Sequence, residues 1–512
     1  MGFIERNMIR LLEPILDRRW IKRGLPVPTD TNLRLGNASA AFGRKGMAPV
    51  SLTIDQRLRH QLKVGATGSG KSVSELGDRI HDLSINQPFL LLDCHDSIEK
   101  FLRTLARRIV AGEIPESIIN DIWLVSPAND KWCVRINPLE CPSPDKAPVK
   151  IAPLMELLRV FWGDVLGPQT HEFTQNLLIL LAERKIPLPQ VSSLLSDTVS
   201  LRTHSLSLLN HRAREYFLGR YLSWSPRRRT QVAEAFLNKV TIFLADPRIA
   251  AMLDAPVSDI DFRRAMDQRK TILIEISKGQ FFDSVGLLAS MILVSLQQAT
   301  FSRSDLPEAA RTPYFIIIEE FPAFASSVTV EPFLNESRKF GVGLTLIAQT
   351  FASLDRGLLS SIRANCQTQM FFRLSPEDAR IAAAGLTGEV RDLIARDLVS
   401  LPTGTAMLMQ GGGPPQRLRI DYKPVPERLT TREKEVIDRI RKNVGSPLDL
   451  SRGSGAPTPG AAKVTPYPTP VVAKPTPATL TPVDPSPKPV AKPTPKRKTT
   501  GKVTGGFVEG DV

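Results

Sequence analysis

Cysteine is scarce in this chain, with only four among 512 residues and no CxxC pair. This usage argues against a zinc site and favours a reducing compartment. The N-terminus lacks a secretory h-region, and no run of about 18 apolar residues occurs anywhere. We therefore expect no integral membrane span and a cytoplasmic protein, with peripheral membrane association left open.

Acidic residues are also few, because 52 Asp and Glu stand against 67 Lys and Arg and give a net charge of +15. A basic balance favours a polyanionic partner, either nucleic acid or an acidic membrane. Residues 452–512 carry nine basic and three acidic residues, so a net charge of +9 remains on the rest. The same segment holds 13 of the 42 prolines, which predicts a disordered tail.

Short apolar runs separated by helical patterns indicate an α/β protein with a mostly parallel sheet flanked by helices. The runs are "HQLKVGA", "FLLLDCH", "DIWLVSP", "KTILIEI", "YFIIIEE", "VGLTLIAQ", "TQMFFRL" and "TAMLMQG". Between about Pro142 and Asp267 the strand pattern stops and amphipathic helices follow, which predicts an inserted all-helical domain. The predicted organisation is a helical segment at 1–32, the α/β domain at 33–141 and 268–425, the helical insert at 142–267, a helix and linker at 426–450, and the tail at 451–512.

The segment "GATGSGKS", Gly65 to Ser72, fits the phosphate-binding pattern G-x-x-x-x-G-K-[ST]. It follows a predicted strand and opens a predicted helix, as a P-loop requires. Backbone N–H groups and the helix dipole would bind phosphate oxygens, Lys71 would reach the β- and γ-phosphates, and Ser72 would hold Mg²⁺. The predicted nucleotide-binding residues are Gly65, Ala66, Thr67, Gly68, Ser69, Gly70, Lys71, Ser72 and Val73.

A P-loop site also needs carboxylates at the end of a neighbouring strand. "FIIIEE" offers Glu319 for Mg²⁺ through water and Glu320 to polarise the attacking water. If Glu319 holds the magnesium shell, Glu319→Asp is expected to preserve or raise hydrolysis. "FLLLDCHDS" offers Asp93 and Asp96 as a second candidate that could line the nucleotide crevice.

A polar side chain is expected to sense the γ-phosphate from a strand next to the P-loop. "VGLTLIAQT" ends an apolar strand pattern in Gln349, thirty residues after Glu319. We therefore predict Gln349 as the sensor of this site.

Further segments give the chain a resemblance to the HerA/FtsK-like P-loop ATPases, and within them to the type IV secretion coupling proteins (the TraD/TraG type) and their soluble DNA-translocase relatives. The resemblance runs from about Leu33 to Asp421. It rests on the P-loop and on "LLLDCHDSIEKFL", "VRINPL", "SDIDFRRAMDQRKTILIEISKG", "FLNESRKFGVGLTLIAQT" and "IRANCQTQMFFRLSPEDA". The chain departs from the family pattern in having Glu319 where aspartate is usual, and in lacking the transmembrane helices of many coupling proteins.

The resemblance implies a RecA-like fold, ATP and Mg²⁺ as cofactors, and a hexameric ring that pumps DNA through a central pore. It also implies that nucleotide lies between subunits and that an arginine of the neighbour completes the site. Arg338, nineteen residues after Glu319, is the first candidate, Arg59 is the second and Arg373 the third. A surface ion pair is the alternative role for each of them.

DNA would be held mainly by its phosphates, without sequence reading. The strongest basic cluster is Arg227, Arg228 and Arg229 in the predicted insert. Weaker candidates are Arg107 with Arg108, Arg263 with Arg264, and the tail segment "KPTPKRKTTGK". Such clusters are also common on surfaces that only contact water.

Three functions follow from these observations. The first is an ATP-hydrolysing DNA translocase or helicase-like motor in conjugation, type IV secretion or related DNA processing. The second is a recruitment scaffold that binds ATP and a relaxase–DNA complex but hydrolyses slowly. The third is a receptor for secreted proteins, with no DNA role.

Overall fold

The structure is a computed structural model and describes residues 32–449, apart from 40–46, 96, 164–166, 278–283, 324–329, 353 and 422–423. Residues 1–31 of the predicted N-terminal helical segment, the predicted tail and Asp96 lie outside the described residues. The strands are β1 (Leu33–Ser39), β2 (Met47–Leu52), β3 (Gln61–Val64), β4 (Phe89–Asp93), β5 (Ile122–Val125), β6 (Trp132–Cys133), β7 (Thr271–Glu275), β8 (Tyr314–Ile318), β9 (Val342–Ala348), β10 (Thr368–Phe371), β11 (Thr405–Gln410), β12 (Gln416–Arg419) and β13 (Ser446–Pro447).

The α-helices of the described residues fall into three groups along the chain. The first group precedes β5 and comprises α1 (Ile54–Leu58), α2 (Lys71–Ser84) and α3 (Ser97–Val110). The second lies between β6 and β7 and comprises α4 (Ala147–Trp162), α5 (Pro168–Arg184), α6 (Val191–Ser196), α7 (Thr198–Leu206), α8 (His211–Glu215), α9 (Pro226–Phe243), α10 (Pro247–Leu253) and α11 (Phe262–Asp267). The third comprises α12 (Ser284–Phe301), α13 (Glu331–Glu336), α14 (Arg356–Asn365), α15 (Pro376–Ala383), α16 (Gly388–Ser400) and α17 (Thr431–Arg441).

The central sheet has eleven strands in the order β2-β1-β12-β11-β10-β3-β9-β8-β4-β7-β5. From β10 to β5 all neighbours are parallel, whereas β11, β12, β1 and β2 extend the sheet in antiparallel pairs. The strand β3, which leads into the P-loop, therefore lies beside β9 and two strands from β8. The carboxyl ends of β3, β9, β8 and β4 meet at one edge, where open α/β sheets bind ligands.

Both faces of the sheet are covered, as parallel sheets require. Successive side chains of β8 point to opposite faces of the sheet. Ile316 and Ile318 belong to one apolar core, and Phe315 and Ile317 belong to the other. The first core also contains residues of α4, α5, α9 and α12, and the second contains residues of α2, α3 and α17. The mostly parallel sheet flanked by helices is thus confirmed.

The helices α4 to α11 lie where the strand pattern stops in the sequence. Their apolar side chains, such as Phe173 and Phe236, belong to the same continuous core as β8. Helices therefore occupy this stretch as expected, although a domain boundary at 142 and 267 stays a prediction.

The helix α12 is the most apolar one in the described part of the chain. With the turn that follows, Ser284–Asp305 is long and apolar enough to cross a membrane by length and composition alone. The sequence criterion overlooked it because serine and glutamine interrupt the apolar residues. About 72% of its apolar window is buried inside the protein, as in the core helix of a folded domain.

Candidate nucleotide-binding site

The predicted P-loop connects β3 to α2 at the carboxyl edge of the sheet. Its entry is fixed by two backbone bonds, from Gly65 N to Ala348 O at 3.2 Å and from Ala66 N to Arg373 O at 2.9 Å. The start of the loop is thus hydrogen-bonded to the end of β9 on one side and to the residues that follow β10 on the other. Its N–H groups and the start of α2 form a concave group of donors suited to phosphate oxygens.

Two positions of the loop require glycine. Gly70 adopts a φ of +103°, and a Cβ there would lie 2.8 Å from the backbone nitrogen of Gly404. A Cβ at Gly65 would lie 2.5 Å from the Cβ of Phe372. The loop conformation therefore depends on glycine at both ends of the motif.

The segment Thr403–Gly404, between α16 and β11, supports the P-loop from the side. Gly404 N donates to Ser69 O at 3.0 Å, and Thr403 Oγ1 donates to Gly68 O at 3.3 Å. Ile420, at the end of β12, donates in turn to Gly404 O at 2.9 Å. The phosphate loop is thereby hydrogen-bonded, through one residue, to the antiparallel extension of the sheet.

A cleft of about 990 Å³ opens above the P-loop. This volume is at the upper end of the range for sites of small ligands and cofactors. It is lined by residues from every element predicted to carry the site, including Lys71, Ser72, Glu319, Glu320 and Gln349. The fold therefore brings the sequence-predicted P-loop, acidic strand and sensor together.

Glu319 follows β8 and is buried, with its backbone N bonded to Leu92 O at 2.9 Å. Its Oε1 accepts a hydrogen bond from Arg79 Nη1 at 2.7 Å. Burial alone raises the pKa of Glu319, but the charge and hydrogen bond of Arg79 outweigh burial and hold the pKa below its usual value. The carboxylate is therefore ionised and oriented toward α2.

Two further carboxylates lie near Glu319. Burial and the charge of Glu319 raise the pKa of Glu75 to about 8 and the pKa of Asp93 to about 7. Asp93 accepts from the backbone nitrogens of His95, Ser97 and Ile98, and so caps the start of α3. Asp93 is not among the residues that line the cleft. Its contribution to the site is to hold the start of α3 in place, rather than to line the nucleotide crevice.

Glu320 stands where the chain leaves the sheet. Its φ of +49° is rare for a residue with a side chain and costs of order 1–3 kcal/mol. The turn continues into a short 3₁₀ helix, in which Ala323 N donates to Glu320 O at 3.0 Å. The Glu320 carboxylate lies in the cleft, with Oε2 3.9 Å from His95 Nε2. The side chain of this strained turn thus lies in the same cleft as Glu319 and the P-loop.

Gln349 ends β9 beside the P-loop, as the sequence predicts. Its Oε1 accepts a hydrogen bond from Thr67 Oγ1 at 3.1 Å. One residue earlier, Ala348 O accepts from Lys71 Nζ at 3.2 Å. The end of β9 therefore contacts the P-loop through a side-chain amide and through the lysine.

Arg338 and Arg59 lie at the opposite edge of the sheet, before β9 and β3 respectively. Both contact one carboxylate, with Asp55 Oδ2 2.9 Å from Arg59 Nη2 and Asp55 Oδ1 3.5 Å from Arg338 Nη2. They line a separate cleft of about 530 Å³ and not the cleft above the P-loop. Because the four residues of β3, about 13 Å of strand, separate Arg59 from the P-loop, and neither arginine lines the cleft above that loop, neither is placed to reach a nucleotide on its own P-loop. Arg373 lies beside the P-loop, where its carbonyl accepts from Ala66.

His60 fixes this opposite edge. It is buried, Nδ1 accepts from Leu344 N at 3.0 Å, and Nε2 therefore donates to Leu334 O at 3.0 Å. Burial lowers the pKa of His60 to about 4, against about 6.5 for an exposed histidine. The neutral ring thus ties α13 to β9.

Acidification is expected to weaken the fold through His60. Because the folded-state pKa is depressed, the unfolded chain binds the proton first as the pH falls through 6.5, and stability is lost down to about pH 4. The loss attributable to His60 is about 2 kcal/mol between pH 7 and pH 5. Urea unfolding at both pH values, compared with His60→Asn, measures it; an equal pH dependence in the two proteins would contradict this role.

The basic clusters differ in how far their charges are neutralised. Arg107 pairs with Glu433, Arg108 pairs with Glu113, and Arg263 pairs with Asp267 and Asp305. In the cluster at the start of α9, Arg227 and Arg228 are exposed and no ion pair to an acidic residue is formed within the described part of the chain. The Arg228 guanidinium lies 4.5 Å from the centre of the Trp224 ring.

Sequence reasoning missed Arg79, Glu75 and His95 as parts of the site. Charged residues on a helix are expected to face water, yet Arg79 and Glu75 are 1% and 3% exposed. Their spacing of four residues places both on one face of α2. The hydrophobic pattern of "SVSELGDRIHDL" alone does not show that this charged face is buried rather than exposed to water.

Comparison with known proteins gives matches in structure only. No protein-family model matches the sequence, and no curated protein matches it. The structure is similar to the bacterial conjugative coupling protein TrwBdeltaN70, with a TM-score of 0.51 and 16% identity over 74% of this chain and 88% of that one. It is also similar to the plasmid coupling protein TrwB in complex with ADP and Mg²⁺, with a TM-score of 0.50 and 17% identity over 79% and 98% of the two chains.

A third similar structure is VirB4 of Thermoanaerobacter pseudethanolicus, with a TM-score of 0.50 and 13% identity over 78% of this chain and 98% of that one. At these identities the likeness concerns the fold, and it spans most of each chain. The mostly parallel sheet flanked by helices agrees with it. The chain therefore has the P-loop NTPase fold of the conjugative coupling proteins and VirB4.

Proposed function

We propose that the protein is an ATP-hydrolysing motor of the coupling-protein kind, acting on DNA in conjugation, type IV secretion or related DNA processing. The observation that carries this proposal is the convergence of Lys71, Glu319, Glu320 and Gln349 in one cleft at the carboxyl edge of the sheet. Each group has a distinct role in phosphoryl transfer, and a structural role alone does not require all four in one place.

The geometry supports a distinct role for each group. Backbone N–H groups of Gly65 to Ser72 hold the phosphates, and the Lys71 ammonium offsets charge on the β- and γ-phosphates. Glu320, held in the cleft by its strained turn, accepts a proton from the attacking water. Gln349 orients the γ-phosphate from β9, where Thr67 already bonds to its side chain.

The donor set fits a magnesium ion. Hydroxyl and carboxylate oxygens are the ligands that Mg²⁺ prefers, and Ser72 with a water-mediated Glu319 supplies both. Glu319, Glu75 and Asp93 all interact with the charge of one guanidinium, that of Arg79, while burial and the charge of Glu319 raise the pKa of Glu75 and of Asp93. When bound, the ion neutralises charge on the β- and γ-phosphates. The similar TrwB structure is in complex with ADP and Mg²⁺, which supports a nucleotide and Mg²⁺ as the cofactors of this chain.

We propose that subunits assemble head to tail in a ring, so that Arg338 or Arg59 of one copy completes the site of the next. Their place at the opposite edge of the sheet supports this arrangement, because only a neighbour's nucleotide is within reach. A heterologous contact of this kind generates a closed ring when the rotation between copies closes, as in a hexamer.

DNA is proposed to contact Arg227, Arg228 and Arg229. Cations at a helix N-terminus oppose the helix dipole, so these arginines are not there to stabilise α9. Unlike Arg107, Arg108 and Arg263, they keep their charge available to an external anion. Trp224 under Arg228 adds a flat surface on which a base or sugar can stack.

One observation favours the slower scaffold as a second candidate. Arg79 already binds Glu319, so part of the carboxylate is committed to the protein itself. A scaffold predicts ATP binding without hydrolysis above background. A protein-substrate receptor predicts no salt-sensitive DNA binding.

The test of the motor is the rate of ATP hydrolysis with and without DNA. We expect DNA to stimulate hydrolysis, and we expect Arg227→Gln/Arg228→Gln/Arg229→Gln to remove most of that stimulation while basal hydrolysis persists. Because each phosphate contact contributes about 0.9 to the salt slope of binding, the triple variant should lower the slope by up to about 3. Fluorescence anisotropy with labelled DNA at several salt concentrations measures that slope.

A matched control removes equal charge elsewhere on the surface. Arg380, Arg391 and Arg396 are exposed and lie on α15 and α16. Their triple glutamine variant should leave the DNA stimulation and the salt slope close to those of the parent protein. Equal losses in both variants would mean that net charge, rather than the α9 cluster, attracts DNA.

A further inference from the structure

Arg79 is a fully buried cation in the third turn of the P-loop helix. Its side chain is 1% exposed, and a guanidinium cannot lose its charge in a protein. Nη1 donates to Glu319 Oε1 at 2.7 Å, and Nε donates to the carbonyl of Glu75 at 3.0 Å. The guanidinium is therefore held by its own helix at one end and by Glu319 at the other.

Glu319 is equally restrained. Its backbone continues the β8–β4 ladder through the bond to Leu92, so the side chain must span a fixed gap to α2. Removing one methylene shortens the reach by about 1.5 Å, which would open the 2.7 Å contact well beyond hydrogen-bond distance. Aspartate at this position would leave both charges buried and apart.

Other buried acids lie close to the pair of Arg79 and Glu319. Glu75 Oε2 lies 3.9 Å from Arg79 Nη2, and Asp93 lies close enough to Glu319 to interact with its charge. Arg79 is thus the buried cation shared by these acids. Without it, the buried Glu319 carboxylate would lose its 2.7 Å charge-assisted hydrogen bond.

We propose that Arg79 is the positioning residue of Glu319, and that glutamate stands at the metal-holding position because only its length reaches Arg79. The two residues act as a unit that presents an ionised, oriented carboxylate to the nucleotide-bound metal. The metal-related part rests on the proposed ATPase function, whereas the pairing does not. The proposal reverses the expectation that Glu319→Asp preserves or raises hydrolysis.

The experiment is a double-mutant cycle with Glu319→Asp and Arg79→Met. Each single variant should lower the thermal midpoint by several degrees at a fixed scan rate. The double variant should lose no more than the worse single, because each removes the same interaction. Binding of Mn²⁺ with ADP, followed by electron paramagnetic resonance, should weaken at least about tenfold in both singles, while ADP binding without metal stays the same.

Arg79→Lys keeps the charge but not the forked geometry. It should retain more metal affinity than Arg79→Met, which a purely structural role of the side chain would not require. The Mg²⁺ concentration for half-maximal hydrolysis should rise in the order parent, Arg79→Lys, Arg79→Met.

Arg57→Met is the matched control. Arg57 is equally buried and donates two 2.7 Å hydrogen bonds to Asp82 at the far end of the same helix. It should lower the thermal midpoint without changing the binding of Mn²⁺ with ADP. If Arg57→Met weakens metal binding as much as Arg79→Met, the effect is one of general destabilisation and the proposal is wrong.

Two other outcomes overturn the proposal. One is a Glu319→Asp variant with an unchanged midpoint and unchanged or faster hydrolysis. The other is additive loss of midpoint in the double variant. If even the parent protein hydrolyses no ATP, the proposed motor function is wrong. The double-mutant cycle of thermal midpoints still decides whether Arg79 and Glu319 form a unit.

Discussion

Replacing Glu320 with glutamine is expected to slow ATP hydrolysis by about 100- to 10,000-fold, the range that a positioned general base contributes. The amide keeps the size of the side chain and cannot accept the proton of the attacking water. Nucleotide affinity should change little, because the P-loop and Lys71 remain intact. Single-turnover hydrolysis and the binding of a fluorescent ATP analogue measure the two quantities separately.

Glu427→Gln is the control for this substitution, since Glu427 lies in the wall of the same cleft and its backbone carbonyl accepts a hydrogen bond from Arg103 of α3. It should hydrolyse ATP at close to the parent rate. A Glu320→Gln rate within about threefold of the parent would contradict the assignment of Glu320 as the base. Weaker nucleotide binding alone would indicate that the strained turn shapes the cleft instead.

Removing Arg338 is expected to slow hydrolysis by about 1,000-fold or more, because an arginine supplied by a neighbour contributes about 10³ to 10⁵ to phosphoryl transfer. Unlike Glu320, Arg338 has no contact with its own nucleotide cleft, so its effect requires a second copy. Mixing Arg338→Ala with Lys71→Ala subunits tests this directly. In a randomly mixed ring about one interface in four combines an intact P-loop with an intact arginine, so hydrolysis should partly return.

Arg59→Ala belongs in the same series, because Arg59 shares Asp55 with Arg338. Arg396→Ala, at an exposed position on α16, is the control. It should hydrolyse ATP at close to the parent rate without any second variant mixed in. An Arg338→Ala protein with full activity beside an inactive Arg59→Ala protein would move the role to Arg59. Full activity of both would exclude this edge of the sheet from the neighbour's site.

The sequence predicts the parallel part of the fold well because its strands are buried on both sides. All eight apolar runs, such as Tyr314–Ile318, form strands of the central sheet. Of the antiparallel extension, only β11 is among the predicted runs; strands such as Gln416–Arg419 escape prediction because they are short, mostly exposed and carry few apolar residues. A strand with so few buried side chains has little hydrophobic periodicity to detect.

The residues of the candidate site likewise differ in whether a local sequence pattern reveals them. Lys71, Glu319, Glu320 and Gln349 are recognisable because they follow apolar strands or belong to a glycine-rich motif. Arg79 is not, because its partner Glu319 is 240 residues away and only the completed sheet brings them together. Long-range ion pairs of this kind leave no local pattern in a sequence.

The support of the P-loop by Thr403–Gly404 has a thermodynamic consequence. The same glycine bonds to the phosphate loop and to the end of β12, so a displacement of the β11–β12 hairpin changes the free energy of the loop that binds phosphate. Linkage then makes the effect reciprocal: a ligand that shifts this hairpin alters nucleotide affinity by some factor, and nucleotide alters the affinity for that ligand by the same factor. The β11–β12 hairpin, in the antiparallel extension of the sheet, is thereby coupled to the phosphate site through one glycine.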